Sequence, residues 1–93
     1  MRFLSLLLLL LVTLFPVAAK DELTDDHLYD RIRIQIANDR EIGGNPIEVK
    51  VTNGNVELTG KVRTDKQKVR AEKVAKKVKG VKSVVNNIAI SPL

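Results

Sequence analysis

From residue 47 onward apolar and polar side chains alternate: Ile47, Val49 and Val51 against Glu48, Lys50 and Thr52, then Val56, Leu58, Gly60 and Val62 against Glu57, Thr59 and Lys61. A period of two sends successive side chains to opposite faces, so the two runs predict strands with one apolar face each. Between them stands Asn53-Gly54, a pair that supplies the positive φ angles of a type I′ turn and so closes the strands into a hairpin. Upstream the period changes. Leu28, Ile32, Gln35 and Ile36, with Tyr29 at the margin, share one face at helical spacing and predict a helix over residues 25–38. Thr24 is placed to cap it, and Asp25 and Asp26 fall in the first turn, where the helix dipole favours negative charge. Gly43-Gly44-Asn45-Pro46 then forbids further helix.

After the hairpin, Ala71, Val74, Ala75 and Val78 form the buried stripe of a second helix over residues 65–79. Thr64 or Asp65 serves as its cap, Lys76, Lys77 and Lys79 suit its last turn, and Gly80 is expected at the left-handed C′ position. Val84, Ile88 and Ile90 share a parity in a third strand over residues 83–90, with Asn86-Asn87 inside it. A helix between the second and third strands implies a right-handed crossover and a parallel pair. The expected fold is therefore α+β: αββαβ, a small three-stranded mixed sheet with two helices on one face and the other face wet. Gly60 sits on the inward face of the second strand, where a missing side chain lets a helix or another backbone come close.

The first residues do not belong to this pattern. Met1 and Arg2 precede an almost wholly apolar run from Phe3 to Phe15, and Pro16-Val17-Ala18-Ala19 leads into Lys20-Asp21-Glu22. That order of parts predicts a secretory signal peptide over residues 1–19, cut before Lys20, with a single domain over residues 20–93. The run is shorter than the roughly 20 residues of a spanning helix. No cysteine is available for lipid attachment, so the expected location is the periplasm or outside the cell. The absence of cysteine also removes any disulfide, and the core must hold the domain alone.

Charge is unevenly spread. The whole chain carries a formal +5, yet residues 20–58 hold 5 basic and 9 acidic side chains and residues 59–93 hold 10 and 2. An anionic partner would be drawn to the C-terminal half, less so as salt rises.

The elements Val51-x-Asn53-Gly54-x-Val56-x-Leu58-x-Gly60-x-Val62, then Ala71-x-x-Val74-Ala75-x-x-Val78-x-Gly80-Val81, then Val84-x-Asn86 resemble the BON domain (bacterial osmotically-induced and nodulation domain) across residues 24 to 91. The resemblance implies an exported, envelope-associated binding domain that contacts phospholipid membranes and is linked to osmotic stress. It rests mostly on structural positions, Asn53, Gly54, Gly60 and Gly80 among them. Several relatives carry two such domains or an added module, whereas one is found here.

Candidate chemistry is sparse. With no cysteine and one histidine, His27, in a first helical turn, no nucleophile and base can be assembled, and an enzyme is not expected. Asp25 and Asp26 point about 100° apart on a helix and are read as dipole partners rather than an acid/base pair. No metal-ligand spacing or phosphate loop is present, so no metal and no cofactor is expected. Nucleic acid is not an expected partner either, because Tyr29 is the only aromatic residue after the leader. What remains is the face of the second helix opposite its buried stripe: Lys66, Arg70, Lys73, Lys76 and Lys77, with the apolar Val69 among them. This face is the candidate contact with an anionic phospholipid membrane surface. The alternative is a protein-interaction or protective stress module that docks an envelope protein on an open sheet edge or face.

Overall fold

The computed structural model describes residues 24–92 and runs α1 (Asp25–Ala37), β1 (Ile47–Thr52), β2 (Asn55–Val62), α2 (Asp65–Lys76) and β3 (Ser83–Ile90). The leader expected over residues 1–19 lies outside the described residues. Asn53 and Gly54, at φ 51° and 83°, form the type I′ turn. It sets the antiparallel register Thr52↔Asn55 through Ile47↔Gly60. β3 lies parallel to β2, so the order is β1-β2-β3 and β2 is central.

That order decides which side chains are sealed. Val56, Leu58 and Val62 of the central strand are buried with Leu28, Ile32 and Ile36 of α1 and Ala71, Val74 and Ala75 of α2, whereas Ile47, Val49 and Val51 of β1 are only partly covered. Both helices thus lie on the same face of the sheet. The other face carries Glu48, Lys50, Glu57 and Lys61.

Four expectations change in detail. Gln35 is exposed rather than buried, because α1 meets a sheet only three strands wide and needs no stripe broader than Leu28, Ile32 and Ile36. α2 stops at Lys76 instead of residue 79, with Lys77 as its C-cap. The chain then turns through Val78–Val81: the Val78 N–H donates to the Ala75 carbonyl, the Val81 N–H to the Val78 carbonyl, and Gly80 takes φ 104° inside this turn rather than at C′. The early stop brings the Lys82 N–H onto the Gly54 carbonyl at 2.7 Å, which starts β3 beside the hairpin turn. Ile90, on the inward parity of β3, is largely exposed at the end of the sheet.

One core residue has no periodic signal. Ile42 lies in the connection between α1 and β1, yet it is 0 % exposed. Asp39 puts it there by accepting the N–H groups of Glu41 and Ile42 on one carboxylate oxygen at 3.0 and 3.1 Å, a side-chain turn that folds the connection back over the core. At Gly60, φ 127°, the backbone of the β1 entry comes so close that an added Cβ would run into the Pro46 carbonyl oxygen and stand 2.9 Å from the Ile47 Cα.

Candidate functional site

α2 begins with a complete capping box: the Thr64 hydroxyl accepts the Gln67 N–H at 3.1 Å and the Gln67 side-chain oxygen accepts the Thr64 N–H at 3.2 Å. Gln67 also donates to the Glu41 carbonyl at 3.2 Å, which fixes the start of α2 against the connection after α1. From this start Lys66, Arg70, Lys73 and Lys77 follow at spacings of three and four and form one stripe along the helix. Val69 lies beside the stripe and is 44 % exposed.

Not all of these cations are free. Arg70 Nε donates to Asp39 Oδ2 at 2.8 Å, on a carboxylate whose side chain is only 9 % exposed. Glu41 lies 4.0 Å from the same Arg70 nitrogen and takes Lys66 Nζ at 3.2 Å. Lys76 pairs with Glu72 one turn back at 3.1 Å. Among the described residues Lys73 and Lys77 make no ion pair. Asp39 and Glu41 belong to the acidic half of the sequence, so the charge separation along the chain is partly cancelled in space. A shallow groove of about 540 Å³ lined by Glu41, Asp65, Lys66, Val69, Arg70 and Lys73 marks the junction.

Two carboxylates respond to these partners. Burial pushes the Asp39 carboxyl up, but the Arg70 hydrogen bond, the Ile42 and Glu41 backbone N–H groups and the Arg70 charge outweigh it and hold the group below its ordinary value. Glu72 is held below its ordinary value first by the hydrogen bond from Lys76 and then by that from Asn86, with the charges of Lys76 and Lys68 adding to them against burial.

Asn86, part of the sequence resemblance, is committed to the fold. Its amide nitrogen donates to the Lys68 carbonyl at 2.8 Å and to Glu72 Oε1 at 3.3 Å, and its oxygen accepts the Ile88 N–H at 3.2 Å. The side chain ties β3 to α2. Asp25 likewise does more than favour a helix dipole: its two oxygens accept the Asn53 and Gly54 N–H groups at 2.8 and 3.0 Å, which clamps the hairpin turn to the start of α1.

The structure adds cations that the helical wheel of α2 could not supply. Arg31 of α1 and Lys79 of the turn after α2 line, with Gln35, Lys77 and Val78, a second groove of about 280 Å³ with no acidic side chain in its lining. Lys77, the last cation of the α2 stripe, brings that stripe to this second groove. Among the described residues no group of three or more His, Cys, Asp and Glu is placed to hold a metal ion, and no helix is long and apolar enough to cross a membrane.

The architecture defines an αββαβ domain whose distinctive chemistry is a basic helix face beside a tightly bonded core. The family model described as BON domain matches residues 24–92, and the chain belongs to that family. Two solved structures share the fold. The C-terminal domain of CdsD, the structural protein of the type III secretion system of Chlamydia trachomatis, is similar at 17 % identity and a TM-score of 0.60, over 73 % of this chain and 34 % of that one. A second CdsD structure from the same organism is similar at 16 % identity and a TM-score of 0.65, over 97 % of this chain and 44 % of that one. The chain thus spans less than half the length of either. No curated protein matches the sequence.

Proposed function

We propose that this BON domain is an exported module of the cell envelope that associates peripherally with anionic phospholipid surfaces through the outer face of α2, in a setting of osmotic or envelope stress. The observation that carries the reading is the pair of cations Lys73 and Lys77, in no ion pair among the described residues, on one stripe, with the exposed Val69 on one side and the groove of Arg31, Lys77 and Lys79 at its end. Each Lys or Arg near a charged bilayer contributes about 1 kcal/mol, and an exposed valine adds apolar contact. Lys66, Arg70 and Lys76 contribute less, because intramolecular carboxylates already offset them. Export by the leader over residues 1–19 places the domain where such surfaces are met, and the likeness to a structural protein of a secretion system fits an envelope setting.

The test is co-sedimentation with neutral and with anionic vesicles at low and high salt. Binding is expected to anionic vesicles alone, to fall with salt, and to be lost in a Lys73→Glu/Lys77→Glu variant but only weakened by Lys66→Ala. Equal binding to neutral vesicles, or an unaffected double variant, would remove this face from the mechanism.

A further inference from the structure

We propose that the free edge of β1 pairs with the β1 edge of a second copy of this chain, antiparallel and centred on Val49, doubling the three-stranded sheet. The Lys61 N–H donates to the Pro46 carbonyl at 3.2 Å, and the two-residue turn joins Thr52 to Asn55. Backbone groups alternate in direction along a strand, so those of Glu48, Lys50 and Thr52 turn toward β2 and those of Ile47, Val49 and Val51 turn away from it. On that side no described strand meets them. The side chains of the same three residues, with Val81 and Val84 on the β3 side, are the incompletely covered part of the apolar layer. Two grooves of about 260 and 530 Å³ run beside this edge, lined by Tyr29, Arg33, Ile36, Pro46, Ile47 and Val49 among others.

The opposite edge is already engaged at one outward N–H. On β3 the Asn86 oxygen takes the Ile88 N–H while the Asn86 amide is held by α2. β1 has no proline between Ile47 and Thr52 and no side chain bonded over its outward N–H groups among the described residues.

Charge selects a second copy as the occupant. Glu48 and Lys50 flank Val49 on the exposed sheet face and make no ion pair among the described residues. Antiparallel pairing about Val49 sets Glu48 of each copy opposite Lys50 of the other, and directly opposed unlike charges favour a strand pair. A slip of two residues one way sets Lys50 on Lys50, and the other way Glu48 on Glu48. The same strand thus attracts its copy in one register and repels it in the two neighbouring ones, the self-complementarity that a two-fold interface requires.

The experiment is sedimentation equilibrium of the processed chain from micromolar to millimolar concentration, with Glu48→Lys, Lys50→Glu and the double exchange, each checked for an unchanged circular dichroism spectrum. A concentration-dependent dimer is expected. Each single variant weakens it on the order of ten- to hundred-fold, because both symmetry-related pairs turn repulsive. The double exchange restores it, and an equimolar mixture of the two single variants forms a mixed dimer. Amide exchange at Val49 and Val51 slows as the wild-type dimer forms. A monomer at all concentrations, or a dimer indifferent to the single exchanges, overturns the proposal.

Discussion

Gly60→Ala tests how closely the β1 entry is held against β2. Two costs combine at this position. A φ of 127° lies in a region that L side chains rarely adopt, worth about 1–3 kcal/mol. The added methyl also meets backbone, the Pro46 carbonyl oxygen and the Ile47 Cα, in a strand fixed by its own hydrogen bonds, and forced overpacking costs a further roughly 1–3 kcal/mol. Gly54→Ala is the matched control. Its φ is also positive, 83°, but its methyl meets only the flexible side chain of Lys82 at 3.0 Å, which can swing aside. Its cost is about 1–2 kcal/mol, from the left-handed backbone alone. In a domain of this size 1 kcal/mol moves the midpoint by about 4–8 °C, so thermal unfolding followed by circular dichroism separates the two readily. Gly54→Ala should lower Tm by about 4–16 °C, and Gly60→Ala should lower it further or prevent folding. If Gly60→Ala costs no more than Gly54→Ala, the approach of Pro46 does not constrain the sheet and the packing argument fails.

Ile42→Ala removes a fully buried side chain from the connection after α1, and should destabilise the domain by about 2–5 kcal/mol in urea unfolding; a cost below that of a surface substitution would mean the connection is not part of the core. Asp39→Ala strips two backbone N–H partners and the Arg70 partner at once, so it should cost more than Lys66→Ala, whose exposed pair is worth about 0–1 kcal/mol. Equal midpoints in denaturant would refute that order. Because Asp39 and Glu72 are held below their ordinary values of 3.8 and 4.5, their contribution is complete above the unfolded values and is lost as pH falls through the lowered folded ones. Stability should therefore drop below about pH 4.5, with a shallower drop in Glu72→Gln; a profile unchanged by that substitution would show that its pairing adds nothing.

Period and turn chemistry made most of the fold legible. The hairpin could be read from strict alternation around Asn53-Gly54, and α1 from Leu28, Ile32 and Ile36, because these signals are local and repeat. Ile42 could not be read in this way. It lies between a helix end and a glycine pair, with no neighbour in phase, and what buries it is an aspartate turn whose meaning depends on where α2 lies. The candidate face shows the same limit. A helical wheel places Lys66 and Arg70 outward, as they are, but is blind to Asp39 and Glu41 arriving from another segment, and to Arg31 and Lys79 meeting Lys77. Asn86 belonged to a sequence pattern, yet only its three hydrogen bonds show that the pattern there records how β3 is fastened to α2.

The proposed membrane face and the proposed pairing edge make a joint prediction that neither makes alone. A two-fold axis relating antiparallel neighbours in one sheet stands normal to that sheet, so both copies keep their helices on the same side. The two α2 faces then meet one flat surface together. Once one copy is bound, the second sees the surface at an effective concentration in the millimolar range, and linked binding exceeds single binding by roughly 10²–10⁴. Glu48→Lys separates this from simple attraction, because its two expected effects have opposite signs. The substitution adds positive charge on the far side of the sheet from α2, so long-range electrostatics would leave binding to anionic vesicles unchanged or strengthen it. It also breaks the dimer, so linkage predicts weaker binding, with the wild-type affinity returning when Lys50→Glu is added. Vesicle titrations of the three proteins, at a concentration where the wild type is dimeric, decide the matter. Tighter binding by Glu48→Lys would mean that each domain meets the membrane alone.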